Sequence, residues 1–136
     1  MDLGKIMRIS AAGMKVQSAR MEIVAENMAN AEALPGAPGV DPYRRKMVTF
    51  KNVLDRELGV QTVALGKVAL DPTEFGRRYE PGHPGADPDG YVRTPNVKSV
   101  IEMMDLRAAQ RSYEANLNVI QVSKSMVQST LSLLNN

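Results

Sequence analysis

Few residues in this chain have the types and spacing that chemistry requires. His83 is the only histidine and there is no cysteine. His83 sits in "EPGHPG", a run of turn formers that places it in an exposed loop. Nucleophile–base pairs of the Ser/His or Cys/His kind are therefore nearly excluded. Asp87 and Asp89 are the carboxylates a small hydrolase would use. They lie two apart in a turn, with no supporting histidine and no apolar run to raise a pKa. "GADPDG" resembles half of a calcium loop, but an EF-hand needs an acid at its first position and Glu at its twelfth. Gly85 and Asn96 stand there instead, so a β-turn is expected. "PGAPG" is followed by no Lys-Ser/Thr pair and is not a phosphate loop. Arg44, Arg45 and Lys46 beside Tyr43 carry a weak nucleic-acid signal and read as an exposed strand face. These residues predict no catalytic group, metal or cofactor, and no nucleic-acid partner.

What remains is chemistry of recognition. Asn27 and Asn30 lie three apart, on one face of a helical run that ends at a Pro-Gly break. Asparagine is a poor helix former and a good local hydrogen-bonder. The amides either end the helix or bond to another chain and fix its register, as a seam asparagine does in coiled coils. The last helical run has its own amides, Asn116 and Asn118, with Asn116 on its seam, which favours register. Glu22 and Glu26 share one helix face, and so do Arg107 and Arg111. Both pairs read as solvated faces, or as an acidic pair of one subunit meeting the basic pair of another.

Two long helices must position these groups. All eight prolines lie between Pro35 and Pro95, which leaves uninterrupted helical segments at 2–31 and 96–136. The first carries a seam at Ile9, Ala12, Val16, Ala19 and Ile23, with Asn30 at the next equivalent position. Gly13 lies beside it, at a cost of about 1 kcal/mol in helix propensity. The second repeats Leu106, Tyr113, Ile120, Val127 and Leu134 every seven residues, with Ala109, Asn116, Ser123 and Thr130 at the partner positions. Alternation of large and small residues lets two backbones approach closely, so the ends are expected to pack on each other. A further stripe of Val119, Val122, Met126 and Leu133 is apolar on another face. A helix apolar on two faces lies inside something, and other subunits are the expected cover.

The 136 residues are enough for one ordinary domain. With no Trp, two Phe and nine Met, the composition suits close helix packing. Seventeen basic against fifteen acidic residues give +2, too balanced to imply nucleic acid or an anionic membrane. No apolar run approaches the roughly 18 residues of a membrane span. "MDLGKIMRIS" lacks the layout of a secretory signal, so any export is expected to use no cleaved signal peptide. The middle predicts short strands in "YRRKMVTF", "VQTVAL" and "GYVRTP", three to five in all, with "FKNVLDREL" as a helical turn or two. The expected fold is α+β. Two terminal helices (1–31 and 96–136) form a coiled-coil-like pair, with a small β-rich insertion at 32–95.

"AENMANAEALPG", "PYRRKMVTF", "YEPGHPGADPDGYVRTPNV", "EMMDLRAAQRSYEANLNVIQVSKSM" and the "TLSLL" tail together resemble the bacterial flagellar basal-body rod proteins of the proximal type. The likeness runs nearly end to end. The family often carries Thr where Ala33 stands. The resemblance implies a non-enzymatic building block of a helical tube that crosses the periplasm, transmits torque and is traversed by the export channel. It implies other rod subunits, the hook–basal-body junction protein and the flagellar type III export apparatus as partners. A cytoplasmic coiled-coil adaptor shares the helices but leaves the central segment and the motif run unexplained. The expected assembly interface is Ile9, Val16, Ile23, Asn27, Asn30, Arg107, Arg111, Tyr113, Asn116, Ile120, Val127 and Leu134.

Overall fold

The computed structural model describes residues 2–135. Helix α1 (Leu3–Ala29) is followed by β1 (Lys46–Asp55), β2 (Val60–Leu70), β3 (Gly76–Tyr79), β4 (Tyr91–Thr94) and helix α2 (Ser99–Leu134). The fold is α+β, and the helices hold 27 and 36 residues. Asp2 caps α1: its Oδ1 accepts from the amides of Gly4 at 3.0 Å and Lys5 at 3.3 Å. Helix α1 ends where the Asn30 amide turns back to the Glu26 carbonyl at 2.9 Å, ahead of Pro35.

The strands form two separate two-stranded sheets, β1–β2 and β3–β4. The expected helical turn at 50–58 is strand through Asp55 and then a turn. The physical reason is the Asp55 carboxylate, which accepts from the amides of Glu57 (3.0 Å) and Leu58 (3.2 Å). Gly59 then closes the turn at φ +64°, a conformation that suits glycine. Strand β3, "GRRY", carried no β-branched run and went unpredicted. It pairs antiparallel with β4, with Arg77 opposite Arg93 and Tyr79 opposite Tyr91.

Contacts divide the chain into two compact units. One comprises Met1–Met21, Thr49–Lys67 and Arg107–Asn136; the other comprises Glu22–Val48 and Val68–Leu106. In the first unit the buried side chains are small: Ser10, Val16, Ala109 and Ser123. The α2 seam appears as the half-buried Tyr113, Asn116, Ile120 and Val127, while Leu134 is exposed. Gly13 gives up helix propensity for space, since a Cβ there would lie 2.9 Å from the Asn116 Nδ2. The α1 seam differs from the expected one at its N-terminal end, while Val16 further along is buried. Ile9 is 40% exposed, and Ser10 beside it is buried. The inward position belongs to the residue small enough for close packing.

In the second unit Val24 and Val92 are buried apolar residues. The loop 80–90 packs on the segment after α1 at Gly85, where a Cβ would lie 2.3 Å from the Pro35 carbonyl oxygen. The Asp87 carboxylate accepts from the amides of Asp89 (3.1 Å) and Tyr91 (2.8 Å), which makes the expected turn at "DPDG". His83 Nδ1 accepts from the Gly85 amide at 2.9 Å, a role inside the loop.

Candidate functional site

The most concentrated polar chemistry lies inside the second unit. Glu102, in the first turn of α2, is 0% exposed, and Asn27, in the last turn of α1, is 1% exposed. A buried polar group is costly unless all its hydrogen-bonding capacity is used. Asn27 uses all four of its bonds. Its Nδ2 donates to the Lys46 carbonyl at 2.8 Å and to Glu102 Oε2 at 3.1 Å. Its Oδ1 accepts from the Lys46 amide at 2.9 Å and from the Tyr43 hydroxyl at 2.8 Å. The side-chain amide thus pairs with both backbone groups of Lys46, as the peptide of a neighbouring strand would.

Glu102 is neutralised on its other oxygen, where Arg45 Nε donates to Oε1 at 2.5 Å. Arg45 also reaches Asp71 Oδ2 at 3.4 Å. The Arg45 amide donates to Asn96 Oδ1 at 2.7 Å, and Asn96 Nδ2 donates to the carbonyls of Asp71 (3.1 Å) and Thr73 (3.0 Å). Arg44 bonds the same two carbonyls, with its guanidinium 4.2 Å from the Phe75 ring centre. Lys46 pairs with Glu26. The root of the β1–β2 hairpin is therefore clamped to the end of α1 and the start of α2.

The charges are tuned to hold this arrangement. Burial pulls the Arg45 guanidinium down, but its bond to Glu102 and the charges of Glu102 and Asp71 outweigh that and hold it above its usual value. The hydroxyl and amide of Thr73 hold the Asp71 carboxyl below the usual range, with Arg45 adding to the effect. Burial, then the charge of Glu26, pushes the Tyr43 hydroxyl up. The bond to Glu26 holds Lys46 protonated above its usual range. A cleft of about 210 Å³ opens beside Arg45, Asp71, Lys98 and Glu102. Thr73 lines it too, its hydroxyl donating to Asp71 Oδ1 at 2.5 Å. Among the described residues no three His, Asp or Glu side chains gather as metal ligands. The arrangement locks a backbone.

Asn27, expected beside the α1 seam either to help end the helix or to bond another chain, spends its four hydrogen bonds within its own chain. Arg44 and Arg45, expected on an exposed strand face, are half-buried and bonded. Asn30 and Asn116 bond carbonyls four residues back, those of Glu26 and Ser112. Ile23 is half-buried, and Arg107 and Arg111 are exposed. Glu102, Arg45, Asp71 and Asn96 were missed as a group. One signal was readable: Glu102 continues the seven-residue series Ala109, Asn116, Ser123 by one step, which puts a carboxylate on a seam.

The surface of α2 shows a second feature. Met104 is 67% exposed, Val122 60% and Leu133 78%, with Val100, Val119 and Met126 also uncovered. Among the described residues no helix is long and apolar enough to cross a membrane. Exposed apolar surface of this extent marks a contact face.

Comparison with known proteins gives the class first. Residues 89–133 match the family described as the C-terminal part of flagellar basal body rod FlgEFG proteins. Over nearly its whole length the chain is similar to proteins named flagellar basal-body rod protein FlgC. It is 48% identical to that of Agrobacterium fabrum, covering 97% of this chain and 95% of the relative. It is 38% identical to that of Salmonella typhimurium, covering 98% of each, and 33% identical to that of Bacillus subtilis, covering 93% of this chain and 95% of the relative. The chain belongs to the FlgC family of flagellar basal-body rod proteins. It is a structural component of the basal body.

Proposed function

We propose that this chain completes its hydrophobic core by assembly, packing α1 and α2 against neighbouring rod subunits in a helical tube. The observation that carries the proposal is the bare apolar stripe of Val119, Val122, Met126 and Leu133 along the C-terminal half of α2. Burying it at about 25 cal/mol per Å² supplies the drive for assembly. Contacts repeated by a rotation that does not close make a spiral instead of a ring. In this reading α1 and α2 pair in coiled-coil fashion within the subunit, and their remaining faces meet other rod subunits and the hook–basal-body junction protein. The tube stands in the periplasm, carries torque and surrounds the export channel. The chain arrives through the flagellar type III apparatus with no cleaved signal peptide, and it catalyses nothing.

Ile9, Asn30, Arg107, Arg111 and Leu134 face outward enough to serve at such contacts. Val16, Ile23, Tyr113, Asn116, Ile120 and Val127 hold the subunit together beneath them. The test is co-purification with basal bodies. Val122→Glu with Met126→Glu should abolish incorporation while shifting the free chain's stability by less than about 0.5 kcal/mol, as exposed positions do. Normal incorporation of that double variant would remove the proposal.

A further inference from the structure

The methionines stand where methionine is least expected. It ranks among the residues most often fully buried, yet among the described residues no methionine is buried. The buried apolar side chains are Val16, Val24, Val92 and Ala109. Met7, Met14, Met21 and Met28 recur every seven residues along α1 and are half-buried, as is Met47 on β1. Met103, Met104 and Met126 stand on α2 and are exposed, Met126 by 48%. The chain holds no Cys and no Trp. Its sulfur is therefore all thioether, and those thioethers are its most readily oxidised groups.

Met126 differs from the other two exposed methionines in its surroundings. It lies four residues after Val122 and seven before Leu133, within the bare stripe of α2. Oxidation to the sulfoxide turns a flexible apolar side chain into a polar one. In the free chain the new oxygen is solvated. The Thr130 hydroxyl, one turn on, is already spent on the Met126 carbonyl at 2.9 Å, so water is the partner. The fold loses little, because the side chain is already half in water. On a dry contact the same oxygen is stripped of its water, and that costs affinity.

We propose that Met126 is a reversible oxidation site, at which a peroxide holds the subunit back from assembly. The Sδ lone pair attacks one oxygen of hydrogen peroxide. The S–O bond forms, the O–O bond breaks, and the other oxygen leaves as water. Sulfur gives up two electrons and the peroxide takes them. A dithiol reductant of the methionine sulfoxide reductase class reverses the step: the oxygen leaves as water and the dithiol closes to a disulfide. The inference rests on the reading of the α2 stripe as an assembly face.

Two measurements test it. On the purified full chain treated with hydrogen peroxide, peptide mass spectrometry should find Met126 oxidised at least about threefold faster than Met14 and Met21. In cells lacking methionine sulfoxide reductases, wild-type and Met126→Leu chains are co-expressed, and their ratio is read in basal bodies built after a peroxide pulse. Whatever the ratio before the pulse, it should shift at least about fivefold toward Met126→Leu afterwards, because leucine has no sulfur to oxidise. The internal comparison cancels general damage to the cell. Met103→Leu, which removes an exposed methionine outside the stripe, should bring no shift. Restoring the reductases should abolish the shift toward Met126→Leu. Slow oxidation of Met126 on the free chain, an unshifted ratio, or an equal shift with Met103→Leu would each overturn the proposal. An unshifted ratio while Val122→Glu with Met126→Glu stays out of rods defeats the oxidation inference alone. Incorporation of that double variant defeats the assembly reading and this inference with it.

Discussion

At position 27 an asparagine does what no other side chain of its size can do. It offers one donor pair and one acceptor to Lys46, Tyr43 and Glu102 together, with nothing left over. Aspartate has the same shape but no donor, and it would set a carboxylate against Glu102. Asn27→Ala should cost about 2–3 kcal/mol, the penalty for buried groups left unbonded. Asn27→Asp should cost more despite its shape, and urea unfolding measures both. Glu102→Ala strands Arg45 without its buried partner and should cost about 3–5 kcal/mol. Acid stability belongs to this scale too. Asp71 and Asp87 have folded pKa values below their unfolded ones, Asp71 through Thr73 and Asp87 through the Tyr91 amide. Their contribution is full above the ordinary carboxylate pKa of about 4 and is lost as pH falls through the lowered folded values. Lys46 and Tyr43 have raised values, so their contribution is present below about pH 10 and is lost above it. The urea midpoint should therefore be level between these limits and fall on either side, with a shallower acid limb in Asp71→Asn.

Between residues and molecule stand the elements. Gly13 is an anomaly inside α1 until Asn116 is placed opposite it at a distance that leaves no room for a Cβ. Gly13→Ala alone gains about 1 kcal/mol of helix propensity but must push Asn116 off the Ser112 carbonyl. In an Asn116→Ala background the same change should stabilise by the full amount, and thermal unfolding of the four-member cycle reads the coupling. Much at this scale was legible beforehand. The confinement of proline to the middle marked both helices, and the seven-residue repeat of α2 marked its buried side. Strand β3 was not legible, because "GRRY" is specified by pairing with β4 rather than by its own residues. The clamp was half legible. Asn27 drew notice through its spacing, whereas its partners sit 19 and 75 positions away and come together only on folding. A basic triplet looks the same in sequence whether its arginines face water or a buried carboxylate.

For the whole molecule the central claim is that α2 is only half buried by its own chain. The seam side closes on Ala109 and Ser123, and the other side carries Val122, Met126 and Leu133 in the open. Isolated helical surface of this kind is marginal without packing. Hydrogen exchange along residues 117–134, compared between the free chain and purified rods, tests this most directly. The account predicts fast exchange in the free chain and protection raised at least about a hundredfold in the rod, equivalent to about 2.7 kcal/mol of added local stability. Equal and strong protection in both states would mean that the helix hides its own surface unaided, contradicting the account.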